Sequence, residues 1–262
     1  HNMKSIILAP ATAPPAKLTQ ILQHGAQLVP VNANYDAAFD LAFEWAQKHK
    51  SYCRNTGINP ILAEGKKTVA LEIAEENDWK VPDHIFIPVG DGCIISGVYK
   101  GFFDLVSLKW IESMPALHAV QAEGSAAIVD SLSDEGEIQT VSANTIADSI
   151  SVDQPRDGGK ARRAILESGG RGFRVSDADI LEAQKLLSET TGIFAEPAAA
   201  AAYAGFMQAF KTGVFKPDDH VVVLITGSGL KDTANAQKLL RPIESVSATL
   251  ADVEIFLDNP QD

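Results

Sequence analysis

The stretch Ile87-Pro88-Val89-Gly90-Asp91-Gly92-Cys93-Ile94 runs from a β-favouring segment into an apolar helical one, with two glycines at the junction. Consecutive backbone N–H groups opening a helix, at the positive end of its dipole, can hold a single phosphate. A tight turn uses glycines in the same way, so this stretch alone leaves both readings open. A dinucleotide fingerprint needs a third glycine where Ile95 stands, and no P-loop lysine follows. A second cluster, Thr226-Gly227-Ser228-Gly229-Leu230-Lys231-Asp232, lacks the spacing of a nucleophile elbow, because Ser228 is flanked directly by glycines. It offers instead the Thr226 hydroxyl at a strand end, or a plain strand-to-helix turn. Glu196, just before Pro197, suits the first turn of a helix, and capping is a sufficient account of it. Lys66 and Lys67 in NPILAEGKKT read as a solvated helix face.

Other chemistries find less support. Cys53 and Cys93 form no CxxC pair and no zinc spacing, which fits a reducing compartment and a cytoplasmic location. His1, His24, His49, His84, His118 and His220 form no HxxxH or HExxH pattern, so no metal is expected. The formal net charge of -12 argues against a nucleic-acid partner. It also means that a phosphate-bearing ligand must be held by local donors. No apolar run is long enough to span a bilayer, so no membrane partner is expected, and KSIILAP reads as a strand and not as the core of a signal peptide. With 45% hydrophobic and 21% charged residues, the chain has the composition of an ordinary globular protein.

Strand-like and helix-like segments alternate along the chain. Strands are expected at Ser5 to Leu8, Gln27 to Val31, His84 to Val89, Leu117 to Gln121, Gly172 to Val175 and His220 to Ile225. Helices are expected at Pro15 to His24, Tyr35 to Gln47, Glu64 to Glu76, Ile94 to Leu108, Lys160 to Glu167, Asp177 to Leu187 and Pro197 to Phe210. A further helix from Leu230 stops at the Pro242 break, and a helical tail follows from Ser245. Ser131 to Gly159 is polar and irregular. Such alternation specifies an α/β fold with a mostly parallel sheet. Continuous apolar runs such as HIFIPV suit strands covered on both faces, and ligands of such sheets bind at the C-terminal strand ends, where both glycine clusters fall.

Four ordered stretches together resemble the fold-type II pyridoxal-phosphate enzymes, of the tryptophan synthase beta-like kind, and among them the threonine synthases. They are Asn59-Pro60 with Glu64-Gly65 and Lys67-Thr68; Pro88-Val89-Gly90 through Lys100-Gly101-Phe102; Gly192 to Gly205; and Thr226 to Asp232. The resemblance runs from about Lys4 to Arg241. It implies a three-layer parallel-sheet fold, N-terminally incomplete, with residues 1–48 the remainder of a small domain. Residues 49–262 would be the large cofactor-binding domain with a C-terminal helical tail. It implies pyridoxal 5′-phosphate as cofactor, with Gly90, Asp91, Gly92, Cys93 and Ile94 around its phosphate and Thr226 on its pyridine nitrogen. A hydroxyl at that nitrogen suits elimination and replacement chemistry. The implied activity is conversion of O-phosphohomoserine and water to threonine and phosphate, by a homodimer acting on a small-molecule amino-acid substrate.

The chain departs from the family pattern in three places. The family's Schiff-base lysine lies upstream of the region matching MKSIILAP, so no residue of this chain is assigned that catalytic role, and Lys17 matches a different small-domain lysine. The phosphate loop reads GDGCI in place of an asparagine-bearing loop. TIADSISVDQPRDGGKA replaces an AIRIGNP-type segment, leaving Arg156 and Asp157 as substrate-side residues or as a surface loop. These departures keep open a serine/threonine dehydratase or a diaminopropionate-type ammonia-lyase of the same fold. From another class, a non-catalytic homologue that binds a phosphate ligand stays open too.

Overall fold

The computed structural model describes residues 3–133, 137–240 and 244–258. The chain begins with a small parallel pair, β1 (Ile6–Pro10) and β2 (Gln27–Val31), in register from Ile6 opposite Gln27 to Pro10 opposite Val31. Helix α1 (Pro15–Gln23) connects them, and α2 (Tyr35–Lys48) follows, capped by the Asn34 side chain accepting from Ala37 N–H.

Next come α3 (Pro60–Lys66) and α4 (Thr68–Glu76) where the sequence suggested one helix, Glu64 to Glu76. Asn59 and Pro60 start α3 as N-cap and first-turn proline, with Asn59 Oδ1 accepting from Ile61 N–H. The break at Lys67 follows from Gly65, a poor helix former, and from Thr68 Oγ1 donating to the Gly65 carbonyl.

The main sheet holds β3 (His84–Pro88), β4 (Ala116–Ala122), β5 (Gly172–Val175) and β6 (Val221–Val223), all parallel, in the order β5-β4-β3-β6. Around it lie α5 (Cys93–Ser107), α6 (Ala127–Asp130), α7 (Gly158–Glu167), α8 (Asp177–Thr191) and α9 (Pro197–Lys211). The alternation of β3 shows why three layers form. Ile85 and Ile87 bury against α4, α5 and α7, while Phe86 buries against α8 and α9. Each layer therefore has its own apolar cluster, and the α/β parallel-sheet expectation holds.

Boundaries differ where local bonds decide them. Ser176 and Asp179 form a reciprocal capping box at the start of α8. The helix expected from Leu230 is broken into a 3-10 turn at Gly229–Lys231, α10 (Thr233–Ala236) and a second 3-10 turn at Gln237–Leu239. Asp232 causes the restart, its side chain accepting from Asn235 N–H. The tail helix α11 (Leu250–Asp258) begins later than Ser245, where Thr249 Oγ1 accepts from Asp252 N–H. Arg241 and the Pro242 break lie outside the described residues.

Candidate functional site

Strands β3 and β6 are neighbours, so the chain leaves both at the same edge of the sheet. After β3 it turns through Val89, Gly90, Asp91 and Gly92 into α5; beyond β6 it passes Thr226. Between these ends and the small β1–β2 unit lies a cavity of about 570 Å³. Gly90 to Ile95, Glu196 and Thr226 line it from the large sheet; Thr12, Lys17 and Tyr35 line it from the small one.

The loop is built to present donors. Gly92 has φ 89°, in the left-handed region, and an added Cβ would lie 2.7 Å from Ala161 Cβ. A Cβ on Gly90 would lie 3.0 Å from Ile150 Cα. No side chain caps α5, whose first turn closes with Ser96 N–H donating to the Gly92 carbonyl. Among the described residues, no protein acceptor takes the N–H groups of Gly90, Asp91, Gly92, Cys93 or Ile94. Backbone donors are rarely left open inside a protein. Here five in a row border a cavity.

The loop's own side chains turn to the protein. Asp91 Oδ2 accepts from Tyr35 Oη at 2.6 Å, Oδ1 accepts from Arg156 N–H at 3.1 Å, and its carbonyl accepts from Asp157 N–H at 2.9 Å. Burial pushes the Asp91 carboxyl up from its ordinary value, opposed by those donors. The Cys93 thiol is pushed up by burial and then by Asp157, so it is held neutral and unreactive.

Thr226 is exposed to the cavity and its hydroxyl has no partner among the described residues. Beside it stands Glu196, whose side chain does not cap α9, contrary to the capping account. Its backbone N–H donates to the Gly227 carbonyl at 2.9 Å, and a Cβ on Gly227 would fall 2.1 Å from Glu196 Oε1. The buried carboxylate faces Lys17 Nζ at 3.3 Å, an ion-pair contact without hydrogen-bond geometry. Lys17 also reaches Asp148 Oδ2 at 3.0 Å and Ser149 Oγ at 2.8 Å. Burial opposes its charge, but Asp148 and Glu196 outweigh that and the Lys17 pKa is raised.

The structure thus brings Gly90 to Ile94 and Thr226 together and leaves two candidates aside. Neither Arg156 nor Asp157 lines the cavity. The Arg156 guanidinium lies 4.6 Å over the Phe39 ring and pairs with Asp40 at 2.9 Å and Asp36 at 3.4 Å. Asp157 is buried beneath the loop, with Oδ1 on Lys160 Nζ at 2.7 Å. Arg156 ties the loop to α2, and Asp157 holds the loop from beneath through its N–H on the Asp91 carbonyl. Conversely, Lys66, read as part of a solvated face, lines the cavity, as do Lys17 and Glu196. The partners that place them are distant in sequence, so no local pattern marks them. Among the described residues no cluster of His, Cys, Asp and Glu is arranged to hold a metal, and no helix is long and apolar enough to cross a membrane.

The pattern of one enzyme family matches residues 1–227, and its description is pyridoxal-phosphate dependent enzyme. The chain belongs to the pyridoxal-phosphate dependent enzyme family. Members use pyridoxal 5′-phosphate, which carries one phosphate and one pyridine nitrogen. The threonine synthase of Methanocaldococcus jannaschii is 37% identical over 232 residues, covering 87% of this chain and 57% of that protein. The threonine synthase of Methanosarcina acetivorans is 40% identical over 218 residues, covering 82% of this chain and 54% of that protein. This pyridoxal-phosphate enzyme chain therefore spans little more than half the length of those relatives. In structure, the processed form of threonine deaminase isoform 2 from Solanum lycopersicum superposes with a TM-score of 0.75 at 24% identity, over 91% of this chain and 66% of that one. That likeness shows the fold. The open donors and the free hydroxyl at one cavity fit the cofactor's two polar ends, a phosphate and a ring nitrogen.

Proposed function

We propose that this chain is the cofactor-binding portion of a lyase of threonine-synthase type, converting O-phosphohomoserine and water to threonine and phosphate. The observation that carries the reading is the row of unpaired N–H groups from Gly90 to Ile94 facing the same cavity as the Thr226 hydroxyl. The identity of 37–40% with two threonine synthases supports the substrate class.

In this reading the loop N–H groups and the N-terminus of α5 bind the phosphate. Thr226 Oγ1 donates to the ring nitrogen without delivering a full proton. When bound, pyridoxal phosphate supplies an electron sink that acidifies the hydrogen on the α-carbon of the amino acid. Asp91, held by Tyr35 and Arg156, keeps its carboxyl turned from the anion. Residues 1–48 are read as part of a small domain and 49–262 as the large one, in keeping with the two sheets. The reading includes a cytoplasmic homodimer.

One observation favours a second reading, a dehydratase or diaminopropionate-type ammonia-lyase. The cavity wall carries Asp36, Asp91, Asp148, Asp153 and Glu196 against Lys17 and Lys66, a poor setting for a second phosphate. The protein expressed from its native gene should be given O-phosphohomoserine, serine, threonine and diaminopropionate in turn. Inorganic phosphate from the first is expected to dominate. Keto acid as the main product from any of the others overturns the threonine-synthase reading.

A further inference from the structure

We infer that Lys66 is the positive charge that completes the phosphate site at the Gly90–Ile94 loop. The inference rests on the reading that this loop holds a phosphate. A phosphate monoester brings close to two negative charges, and backbone N–H groups answer them with dipoles only. The chain has a net charge of -12, Asp91 lies in the loop, and Asp157, paired on one side with Lys160, is buried beneath it. A local cation therefore adds charge that the dipoles do not supply.

Two cations among the described residues line the cavity, Lys17 and Lys66. Lys17 is taken by Asp148, Ser149 and Glu196. Lys66 has no hydrogen-bond or ion-pair partner among the described residues, although it is partly buried. The next residue, Lys67, is the contrast: it pairs with Glu64 at 2.9 Å and with Asp104 at 3.1 Å, away from the cavity. A lysine that lines a cavity and has no counter-ion among the described residues can answer an anion there.

The packing puts Lys66 beside the loop. It is the last residue of α3, and α3 lies so close to α5 that a Cβ on Gly97 would fall 2.5 Å from Lys66 Cβ. Its root is thus fixed on the second turn of α5, one turn from the open donors. Its charge also acts on the Cys93 thiol, the first residue of α5, in the direction that favours an anion there. A lysine acts on phosphate as a point charge and needs no bidentate geometry.

The same ammonium could serve the phosphate of the cofactor or that of a phosphorylated substrate; we assign it to the cofactor. The probe is 4′-deoxypyridoxine 5′-phosphate, which has no aldehyde and cannot condense with amines. Titration calorimetry with the full chain, and with K66M, K66R and K67M, is the measurement. Wild type should bind this probe well and 4′-deoxypyridoxine poorly. K66M should lose about tenfold in affinity for the phosphorylated probe, the scale of one charge-assisted contact. Its affinity for the unphosphorylated probe and its melting temperature should not change. The salt dependence of binding should become shallower in K66M, K66R should recover part of the loss, and K67M should match wild type. Equal affinity of wild type and K66M for the phosphorylated probe overturns the Lys66 assignment and leaves the loop reading intact. Wild type that does not prefer the phosphorylated probe overturns the loop reading itself. A loss confined to O-phosphohomoserine, added over the saturating probe, overturns the assignment to the cofactor.

Discussion

The two ends of strands β3 and β4 treat polar groups in opposite ways. At the C-terminal end, five loop N–H groups and the Thr226 hydroxyl are open to a cavity. At the other end, His84 and His118 form a closed chain. Arg171 N–H donates to His118 Nδ1 at 3.0 Å, and the remaining His118 nitrogen, Nε2, lies 3.0 Å from His84 Nδ1. His84 Nε2 lies 3.3 Å from Asp219 Oδ2. Since a backbone N–H can only donate, neutral His118 carries its proton on Nε2, which fixes the tautomer of His84 and points its Nε2–H at Asp219. The rings sit among Phe86, Phe173 and Phe215. Two adjacent strands thus carry unpaired donors bordering a cavity at one end and a paired polar network at the other. Unmet donors mark binding, and met ones mark stability.

The comparison predicts that damage at the two ends separates into two phenotypes. The largest effect is expected from Gly92→Ala. Left-handed backbone costs an alanine about 1–2 kcal/mol. Its Cβ would also meet Ala161 Cβ at 2.7 Å, so the loop must shift. Affinity for 4′-deoxypyridoxine 5′-phosphate should fall roughly a hundredfold, equivalent to about 3 kcal/mol. Binding lost with a small change in melting temperature supports the division; intact binding breaks it.

At the opposite end, His118→Phe keeps an aromatic ring and strands the Arg171 N–H and His84 Nδ1. Stability should fall by about 2 kcal/mol, with ligand affinity unchanged. Wild type carries a pH signature there. Burial first, then the His84 and Arg171 charges, lower the His118 pKa from 6.5 to about 4. Between those values the unfolded chain binds the proton and the folded chain does not. The stabilisation is therefore complete above pH 6.5 and is lost as pH falls toward 4, by up to roughly 3 kcal/mol. Urea unfolding from pH 7 to 4 should show that slope in wild type and a flatter one in His118→Phe. Equal slopes would remove His118 as its source.

The parts legible in the sequence were those set by neighbours along the chain. Gly90 and Gly92 between an apolar strand and an apolar helix announce the loop, and Ser176 with Asp179 announces the start of α8. The continuous run at β3 announces burial on both faces. What stayed hidden depends on partners brought together by folding. Glu196 reads as a cap because its neighbour is Pro197; only the tertiary fold sets Lys17 and Gly227 against it. Arg156 and Asp157 read as substrate-side residues or as a surface loop, and only the fold sets Arg156 against Asp36, Asp40 and Phe39 of α2 and buries Asp157 beneath the loop. Lys66 and Lys67 are alike by type; in the fold Lys67 takes Glu64 and, from α5, Asp104, while Lys66 turns to neither.

The smallest predicted effect is the most specific to the cavity. Thr226→Val preserves shape and removes one hydroxyl that has no partner among the described residues, so folding stability should be unchanged. If the hydroxyl donates to the ring nitrogen, affinity for 4′-deoxypyridoxine 5′-phosphate should drop by about 3- to 10-fold, the scale of one neutral hydrogen bond. Inorganic phosphate, which lacks the ring, should bind Thr226→Val as it binds wild type. Gly92→Ala should weaken both ligands. The two variants together therefore divide the cavity into a phosphate end and a ring end. Equal loss of both ligands in Thr226→Val would show that Thr226 shapes the loop and does not touch the ring.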